Sequence, residues 1–454
     1  MAGDRDEGGR DLTRKAAART ARLAALPMSY AGRRAVGFGK RLGGRPAEAV
    51  MSEVQQRTAE QIFRTLGQLK GGAMKMGQML SVLEAALPEE AAAPYRDELT
   101  KLQDAAPPMA TRTVKQILAR ELGADWQERL TWLDGGPSAA ASIGQVHKGT
   151  WHDGREVAVK VQYPDAGQNL RADLKALARL AKSVGPLFPG MELGPLVAEL
   201  QERSTDELDY ALEAEAQRAF AAEFRDDPDI VVPDVVEVGE TVLITEWMDS
   251  AHSLARTIAE GTTEERDHYG ELFSRFLFSG PGRTGMLHAD PHPGNYRVIP
   301  AADGGLGQLG VLDYGAVARL PDRSLPRAMG ALIRIGGQED DVALLEGLRR
   351  EGFVRDKVTV DPHLVLDYLE PFITPTKVER FRFSRAWMRE VFQRINDPRN
   401  PAFNVALKLN LPPSYLLIHR TWLGGIGVLC QLEAEAPFRA ILEEWLPGFA
   451  EEPV

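Results

Sequence analysis

The chain has 454 residues, of which 44% are hydrophobic and 26% are charged, and its formal net charge is −11. These fractions lie near those of ordinary globular proteins and exclude a disordered or fibrous chain. Because single hydrophobic cores stop growing beyond about 250 to 300 residues, we expect a large two-lobed unit with additions.

The first 50 residues are basic although the chain as a whole is acidic. They contain eleven Lys and Arg against five Asp and Glu, a net charge of +6 that leaves −17 for the remainder. An acidic body argues against nucleic acid as a partner. Within this arm, Arg14, Lys15, Arg19 and Arg22 are spaced among Ala and Leu. The pattern fits a basic amphipathic helix on an anionic membrane, and it fits a solvated arm equally well.

No segment predicts a membrane span or a secretory leader. The most apolar region, residues 414–432, is interrupted by His419, Arg420 and several glycines, so it lacks the ~18 consecutive apolar residues of a spanning helix. The mixed charges of residues 4–7 are followed by no apolar signal-peptide core. We therefore expect a cytoplasmic protein, with any membrane contact being peripheral.

Cys430 is the only cysteine of the chain. One cysteine excludes a disulfide framework and a thiolate zinc cluster, and it fits a reducing compartment. Because its neighbours are apolar, we expect it to be a small buried hydrophobic residue.

The predicted elements begin with helices and then change to strands. Helical periodicity covers residues 52–103 and 111–122, with Gly123 as a stop signal. From Trp132 onward the chain shows short runs of β-branched residues. The strongest predicted strand is residues 156–161, where valines alternate at period two as on a strand with one packed face.

Further helices and one more strand follow. Residues 165–183 and 195–224 are predicted helices, and residues 242–247 are a predicted strand. Beyond Asp313 the predicted elements are helical, over residues 324–335, 341–351, 382–396 and 415–428. A small mixed lobe is thus followed by a large helical lobe.

The strongest chemical signal lies in two loops. His288-Ala289-Asp290-Pro291-His292-Pro293-Gly294-Asn295 is followed by Asp313-Tyr314-Gly315. Phosphoryl transfer needs a carboxylate near the attacking oxygen and oxygen ligands that hold magnesium on the phosphates. Protein kinases place these groups as a loop Asp, an Asn five residues later, and an Asp in a following Asp-Phe-Gly. Asp290, Asn295 and Asp313 have this order and spacing, which predicts Asp290 as the catalytic residue and the other two as metal ligands.

Lys160 matches the lysine of the kinase Val-Ala-Ile-Lys strand, whose ammonium reaches the α- and β-phosphates. It needs an acidic partner on a helix. The predicted helix that includes residues 200–222 supplies four carboxylates, Glu207, Asp209, Glu213 and Glu215.

A kinase normally covers the phosphates with a glycine-rich loop, because glycine lets backbone N–H groups approach closely. Here the corresponding segment is rich in alanine, with Ala139, Ala140, Ala141 and Ser142. We expect these residues to contact the nucleotide in a loop that the methyl groups restrict. Glu246, Trp247 and Met248, at the end of the predicted strand, are expected at the hinge near the adenine.

Together these motifs resemble the UbiB (AarF) family of atypical kinases. The resemblance rests on the alanine-rich loop, the loop that contains Asp290, and Lys75-Met76-Gly77-Gln78 in the early helical region. It extends from about residue 60 to residue 320. It implies an α+β, atypical protein-kinase-like bilobal fold with a helical N-terminal extension and a largely helical C-terminal lobe.

The resemblance also implies roles for individual residues. The segment with Lys75 and Gln78 would fold over the active site, where a typical kinase admits a peptide, and both side chains would line the nucleotide pocket. The family's Glu-x-Asp motif matches Glu207-Leu208-Asp209, with Glu207 as the partner of Lys75. Glu213 matches the glutamate that pairs with Lys160. From the sequence alone, the opposite assignment, with Glu207 as the partner of Lys160 and Glu213 as the partner of Lys75, stays open.

Members of the family are implicated in isoprenoid-quinone biosynthesis and lipid homeostasis, generally at membranes. Nucleotide binding and ATP hydrolysis are better supported for them than protein phosphorylation. The resemblance therefore implies ATP or ADP with Mg²⁺ as cofactors and a lipid or quinone precursor as a ligand. The expected organisation is a basic arm (1–50), a helical extension (51–130), a kinase-like small lobe (131–250) and a helical lobe with the catalytic and metal-binding loops (251–454).

Two other functions are compatible with parts of the pattern. A small-molecule kinase of the aminoglycoside phosphotransferase type also uses His-x-Asp and a later Asp, although the alanine-rich loop and Lys75 argue against it. A non-catalytic scaffold that changes partners on binding nucleotide would need the same ligands, and the intact Asp290, Asn295 and Asp313 argue against it.

Overall fold

The structure is a computed structural model. It describes residues 108–450 except for 142, 169, 172–173, 176–177, 179–192, 303, 321–323, 398 and 407. The basic arm, the predicted helices of residues 52–103, and Lys75 and Gln78 lie outside the described residues.

Within the described residues, fourteen strands and thirteen α-helices have defined bounds. The strands are β1 (Leu130–Leu133), β2 (Ala139–Ala140), β3 (Gly144–Trp151), β4 (Glu156–Gln162), β5 (Ile230–Val231), β6 (Val235–Val238), β7 (Val242–Glu246), β8 (His252–Ser253), β9 (Met286–His288), β10 (Tyr296–Ile299), β11 (Gln308–Val311), β12 (Val317–Arg319), β13 (Phe381–Arg382) and β14 (Glu435–Ala436). The helices are α1 (Thr111–Leu122), α2 (Trp126–Arg129), α3 (Leu193–Asp206), α4 (Tyr210–Glu223), α5 (Leu254–Glu260), α6 (Thr263–Thr284), α7 (Ser324–Gly337), α8 (Asp341–Arg350), α9 (Pro362–Ile373), α10 (Arg385–Asn396), α11 (Phe403–Ala406), α12 (Leu416–Leu432) and α13 (Phe438–Trp445).

The small lobe is built on an antiparallel sheet in the order β1-β3-β4-β7-β6, with β2 paired to β3. The predicted strands over residues 156–161 and 242–247 are confirmed as β4 and β7. The predicted packed face is confirmed too, since Val157, Val159 and Val161 are fully buried. Alternation of side chains along β4 therefore places Lys160 on the opposite face of the sheet.

Helices cover both faces of this sheet. α1, which has the predicted bounds and stops at Gly123, packs Val114 and Leu118 against the buried valines of β4. On the other face, Tyr210 and Ala214 of α4 pack with Leu243 of β7. The side chain of Lys160 therefore projects toward α4.

The predicted helix over residues 195–224 is interrupted, and this part of the prediction is wrong. α3 ends at Asp206, and Asp209 adopts an extended conformation before α4 begins. The Asp209 carboxylate accepts hydrogen bonds from the backbone N–H groups of Ala211 and Leu212. This N-cap satisfies groups that a continuous helix would bond internally, so it starts a new helix.

The large lobe is mainly helical, as predicted. The predicted helices of residues 324–335, 341–351 and 415–428 are confirmed as α7, α8 and α12, with ends shifted by one to four residues. α10 starts at Arg385 and not at residue 382, because Phe381 and Arg382 pair with β14 and Ser384 caps the helix. The main core surrounds α6 and α12.

Smaller sheets lie beside these helices and support the loops of the motifs. β5-β11-β10-β8 form a four-stranded sheet, and β12 pairs with β9. The predicted catalytic loop, residues 288–295 (hereafter the catalytic loop), connects β9 to β10, and Asp313 follows β11. Both loops therefore leave paired strands at the boundary between the lobes.

Cys430 is fully buried and unpaired, as predicted, and burial raises the pKa of its thiol. Within the described residues, no helix combines the length and apolar character that a membrane crossing needs.

Candidate functional site

Lys160 lies where the small-lobe sheet meets α4. Its ammonium donates a hydrogen bond to Glu213 Oε1 at 2.7 Å and lies 3.4 Å from Asp313 Oδ1. The ring of Tyr210 lies beneath it, with 5.3 Å between Nζ and the ring centroid. The side chains of Lys160 and Glu213 are 14% and 3% exposed. The ammonium is thus enclosed by two carboxylates and an aromatic face.

Burial alone lowers the pKa of Lys160, because a charge is less stable away from water. The carboxylates of Asp313 and Glu213 outweigh this effect and raise the pKa of Lys160 above its usual range. The side chain is therefore a cation at physiological pH, which is the form that binds phosphate.

Both carboxylate oxygens of Asp290 are held, one by Asn295 of the same loop and one by Arg420 of α12. Asn295 Nδ2 donates to Oδ2 at 3.0 Å and to the Asp290 carbonyl at 3.3 Å. Arg420 Nη2 of α12 donates to Oδ1 at 3.0 Å. Asp290 is 7% exposed, so its carboxylate is fixed in position.

His288 connects the catalytic loop to Asp313. Its Nε2 lies 2.9 Å from the Asp313 carbonyl oxygen, and its Nδ1 lies 3.4 Å from the Tyr296 hydroxyl. Because a carbonyl oxygen only accepts, Nε2 carries the hydrogen and Nδ1 accepts from Tyr296. Burial lowers the pKa of His288 and outweighs the raising effect of Asp290. A neutral ring therefore ties the two loops together.

Asp313 adopts a left-handed backbone conformation with φ of 61°. Non-glycine residues rarely adopt it, and its small strain is often found at functional sites. The Gly315 N–H donates to Asp313 Oδ1 at 3.1 Å and helps to hold the turn. Tyr314 points inward between Phe220 of α4 and His288, at centroid distances of 5.1 and 5.3 Å. The turn is thereby packed against both α4 and the catalytic loop.

The alanine-rich segment forms a hairpin at the edge of the cleft. Ala139 and Ala140 form β2, pair with β3 and are exposed. Ala141 N–H donates to the Gly144 carbonyl at 2.9 Å, which closes the turn. Ser142 lies outside the described residues. A methyl group on Gly144 would collide with the backbone of Val161, so this glycine lets β3 and β4 approach closely.

The predicted hinge, residues 246–248, runs from the end of β7 toward β11, the strand that precedes Asp313. Glu246 forms an ion pair with Arg155 at 3.0 Å, and the Trp247 N–H donates to the Glu156 carbonyl at 2.9 Å. Met248 packs on β11, because a side chain at Gly310 would collide with its sulfur. These contacts anchor the segment to both lobes.

Comparison with known families decides the identity of this fold. The model of the ABC1 atypical kinase-like domain matches residues 101–339, more than half of the 454 residues. The chain belongs to the ABC1 atypical kinase-like family, the UbiB (AarF) proteins. The predicted family is confirmed, and so is the α+β kinase-like fold.

Curated UbiB relatives are longer than this chain. AarF domain-containing protein kinase 1 of Mus musculus is 32% identical over 270 residues, 58% of this chain and 50% of that protein. The Caenorhabditis elegans protein named atypical kinase coq-8, mitochondrial, is 30% identical over 326 residues, 71% of this chain and 42% of that protein. The chain thus spans half or less of the length of these relatives.

A solved structure resembles the chain over most of its length. It is a protein of Mycobacterium tuberculosis reported as the Rv3197-erythromycin complex, with 40% identity and a TM-score of 0.65. The match covers 90% of this chain and 100% of that chain. The resemblance thus extends beyond residue 339 into the helical lobe.

One cleft brings together five of the predicted site residues of this UbiB chain, which are Lys160, Glu207, Glu213, Asp290 and Asp313. Its lining consists of Ile143, Lys160, Glu207, Glu213, Asp290, Asp313, Gly315 and Ala316. Both glutamates that compete for Lys160 line it, and the one in contact with Lys160 is Glu213. Asp209 has a different place, since its carboxylate caps α4.

Two residues at this site are absent from the sequence predictions. Tyr210 lies under Lys160 and directly follows the Glu-x-Asp motif, which is the only signal for it. Arg420 contacts Asp290 from a helix beyond the family's motifs. Its signal is a basic residue in an otherwise apolar segment, residues 414–432.

The chemistry of Asn295 and Asp313 fits a magnesium site that is completed by phosphate. Asn295 Nδ2 donates to Asp290, whereas the Asn295 amide oxygen accepts no hydrogen bond from the described residues. Asp313 is 32% exposed toward the cleft. The described residues contain no cluster of three or more His, Cys, Asp and Glu that would hold a metal. Mg²⁺ commonly binds one or two protein oxygens together with substrate phosphates, which matches this arrangement.

Proposed function

We propose that this UbiB protein is an Mg-ATP-dependent enzyme, an ATPase or a phosphotransferase. The observation that carries the proposal is the position of Lys160. Its ammonium lies between Glu213 and Asp313 in the same cleft as Asp290. A phosphate-binding cation, a metal-binding carboxylate and a catalytic carboxylate therefore surround one space.

In this proposal Lys160 binds the α- and β-phosphates, and Glu213 orients it. Burying an ion pair costs desolvation energy that the attraction between the charges offsets only in part. Such a pair therefore adds little stability, and its value lies in a fixed ammonium. Positioned cations of this kind stabilise the charge of phosphoryl transfer.

Asn295 and Asp313 would hold Mg²⁺, which supplies positive charge to the phosphates. Asp290 orients the acceptor, a hydroxyl group or water. The acceptor oxygen forms a bond to the γ-phosphorus while the bond between that phosphorus and the β-phosphate oxygen breaks. ADP leaves with the bonding electrons, and the acceptor proton passes to the Asp290 carboxylate.

The nucleotide would lie under the hairpin that starts at Ala139 and Ala140, with its adenine near Trp247 and Met248. Ala139 and Ala140 are exposed, so their side chains are free to contact a nucleotide bound under the hairpin. We assign Lys75 and Gln78 to the covering of this pocket, with Glu207 as the partner of Lys75. Glu207 lines the cleft, which supports its half of this assignment.

We further propose that turnover serves isoprenoid-quinone or lipid metabolism, in contact with the inner face of a membrane. The support is the family membership together with relatives that are named COQ8 and coq-8 atypical kinases. The ligand class would be a phenolic quinone precursor or a lipid.

Turnover of Mg-ATP by the purified full chain tests this function. The assay is run alone, with anionic liposomes and with phenolic quinone-precursor analogues, and Asp313→Asn serves as the blank. We expect phosphate release or transfer that Asp313→Asn abolishes. Turnover that Asp313→Asn retains, or its absence under all three conditions, would contradict the proposal.

A second candidate function is binding of a macrolide. It rests on the 40% identity, over 90% of this chain, to a protein solved with erythromycin. Calorimetric titration with erythromycin tests it, and mass spectrometry of the recovered ligand shows whether a phosphoryl group is added. Phosphorylated erythromycin would place this chain with the small-molecule kinases, whereas the absence of binding heat would remove the candidate.

A further inference from the structure

α12 packs directly against the catalytic loop. Leu417, Arg420 and Gly424 are spaced by three and four residues and so lie on one face of the helix. Leu417 packs with Leu287 and Ala289, on either side of His288. The helix thus contacts the loop along two of its turns.

Gly424 makes this close approach possible. A methyl group at this position would come within 2.5 Å of Pro291 Cγ, in the residue after Asp290. Real side chains do not approach so closely, so a larger residue would force the helix or the loop to move. The glycine therefore sets the distance at which Arg420, one turn earlier, meets Asp290.

Arg420 and Asn295 hold different oxygens of the same carboxylate. Arg420 Nη2 lies 3.0 Å from Asp290 Oδ1, and Asn295 Nδ2 lies 3.0 Å from Oδ2. The side chains of Arg420 and Asp290 are 21% and 10% exposed. A guanidinium has five N–H donors, and among the described residues the Arg420 guanidinium donates to Asp290 alone. Donors thus remain for a further oxygen ligand.

The catalytic loop itself has no cation. Residues 288–295 contain neither Lys nor Arg, although the transferred phosphoryl group carries negative charge next to the catalytic carboxylate. Lys160, which lines the cleft, contacts Glu213 and Asp313. Arg420 is therefore placed to supply the missing charge beside Asp290.

We propose that Arg420 is a catalytic residue that binds the γ-phosphoryl group while it holds Asp290. This proposal rests on the proposed function. In the transfer step, the acceptor oxygen bonds to the γ-phosphorus, the bond to the β-phosphate oxygen breaks, and the acceptor proton goes to Asp290. Arg420 takes part in no bond change, and its N–H groups stabilise the charge on the transferred group. Its cationic charge also keeps Asp290 from repelling the phosphate.

The γ-phosphate gives this proposal a readout apart from activity, because ADP lacks it. Arg420→Ala is expected to reduce the thermal stabilisation by Mg-ATP and to leave that by Mg-ADP unchanged. It is also expected to lower kcat by about 10² to 10³-fold, the usual effect of removing one charge-stabilising donor. Added guanidinium ion should restore part of the turnover of Arg420→Ala and none of that of Asp290→Asn. Gly424→Ala should lower kcat in the same direction, since it displaces the helix.

The matched control is Arg439→Ala, which removes a guanidinium from an exposed ion pair with Glu443 and should keep wild-type turnover. Equal losses of ATP and ADP binding in Arg420→Ala, or kcat within about threefold of wild type, would overturn the proposal. A rise in the kcat of Arg420→Ala would overturn the proposal as well, since it would show that the ion pair with Arg420 inhibits Asp290. If Arg420→Ala does not fold, Arg420→Gln replaces it as the test, because glutamine keeps an N–H donor and lacks the charge. A wild-type kcat in Arg420→Gln would contradict a catalytic role for the charge. Wild-type protein that binds neither nucleotide would instead refute the proposed function.

Discussion

Lys160 Nζ of β4 lies 2.7 Å from Glu213 Oε1 of α4. The contact pairs this lysine with Glu213, and it couples the position of the small-lobe sheet to that of the helix. Because Tyr314 packs against Phe220 of the same helix, α4 also fixes the turn that contains Asp313. One helix thus aligns the two sides of the cleft that carry Lys160 and Asp313.

The first prediction concerns this ion pair. Lys160→Ala and Glu213→Ala should each lower kcat for Mg-ATP strongly, and the double variant should be little worse than the more damaged single variant, because the pair acts as a unit. Steady-state kinetics of the three variants measure this. Arg256→Ala, which breaks an exposed pair with Glu260, is the control and should keep wild-type kinetics. Additive losses would show that Lys160 and Glu213 act separately.

The second prediction concerns packing between α4 and the Asp313 turn. Phe220 is fully buried and contacts Phe224, Phe276 and Tyr314. Phe220→Ala should lower the free energy of unfolding by about 3 to 5 kcal/mol, the usual effect of a large core cavity.

Urea denaturation measures the change. Phe392→Ala, at a side chain that is 37% exposed, should stay within about 0.5 kcal/mol of wild type. If both variants lose the same small amount of unfolding free energy, α4 does not pack on the Asp313 turn through Phe220.

The third prediction concerns pH. Burial lowers the pKa values of His288 and His419. Each folded pKa then lies below the unfolded value of about 6.5, so the unfolded chain binds the proton first as the pH falls. The contribution to stability is therefore complete above about pH 6.5 and is lost as the pH falls toward the folded pKa.

Thermal melts between pH 7.5 and pH 5 should therefore show a falling Tm. His419→Asn should reduce this slope, whereas His152→Asn, at an exposed position, should leave it unchanged. A slope that both variants share with wild type would show that His419 does not contribute to the acid sensitivity.

The fourth prediction concerns the basic arm, residues 1–50, whose net charge of +6 contrasts with −17 in the remainder. Each Lys or Arg near an anionic surface contributes ~1 kcal/mol, and the attraction fades beyond a Debye length of ~8 Å. Co-sedimentation with anionic vesicles should fall with added salt and disappear when residues 1–45 are deleted, while neutral vesicles should bind little. Equal sedimentation of the truncated protein would assign the lipid contact to another surface.

Local sequence signals predicted a large part of this fold. The bounds of α1 follow from helical periodicity and Gly123, and the packed face of β4 follows from alternating valines. Both signals lie within the element itself. The order of Asp290, Asn295 and Asp313 indicated a kinase-like site because loop motifs keep their spacing along the chain.

The remainder depends on contacts that a single sequence does not display. Asp209 divides α3 from α4 because its side chain accepts hydrogen bonds from the backbone N–H groups at the start of α4. The helical periodicity of the sequence on both sides gives no sign of this break. α6 is absent from the predicted elements because it is buried on several sides and has no single apolar stripe. Arg420 reaches Asp290 across 130 residues of sequence, and only the packing of α12 on the loop places it there.

The thermal shift of the full chain with magnesium and adenine nucleotide tests the central claim most directly. The claim is that Lys160, Asn295 and Asp313 bind the phosphates and their metal. At a hundredfold excess over its Kd, a ligand stabilises the folded state by ~2.7 kcal/mol, so Mg-ATP or Mg-ADP should raise the Tm of the wild type clearly. Asp313→Asn and Lys160→Ala should lose most of this shift while remaining folded. No change in the Tm of folded wild-type protein with either nucleotide would contradict the account.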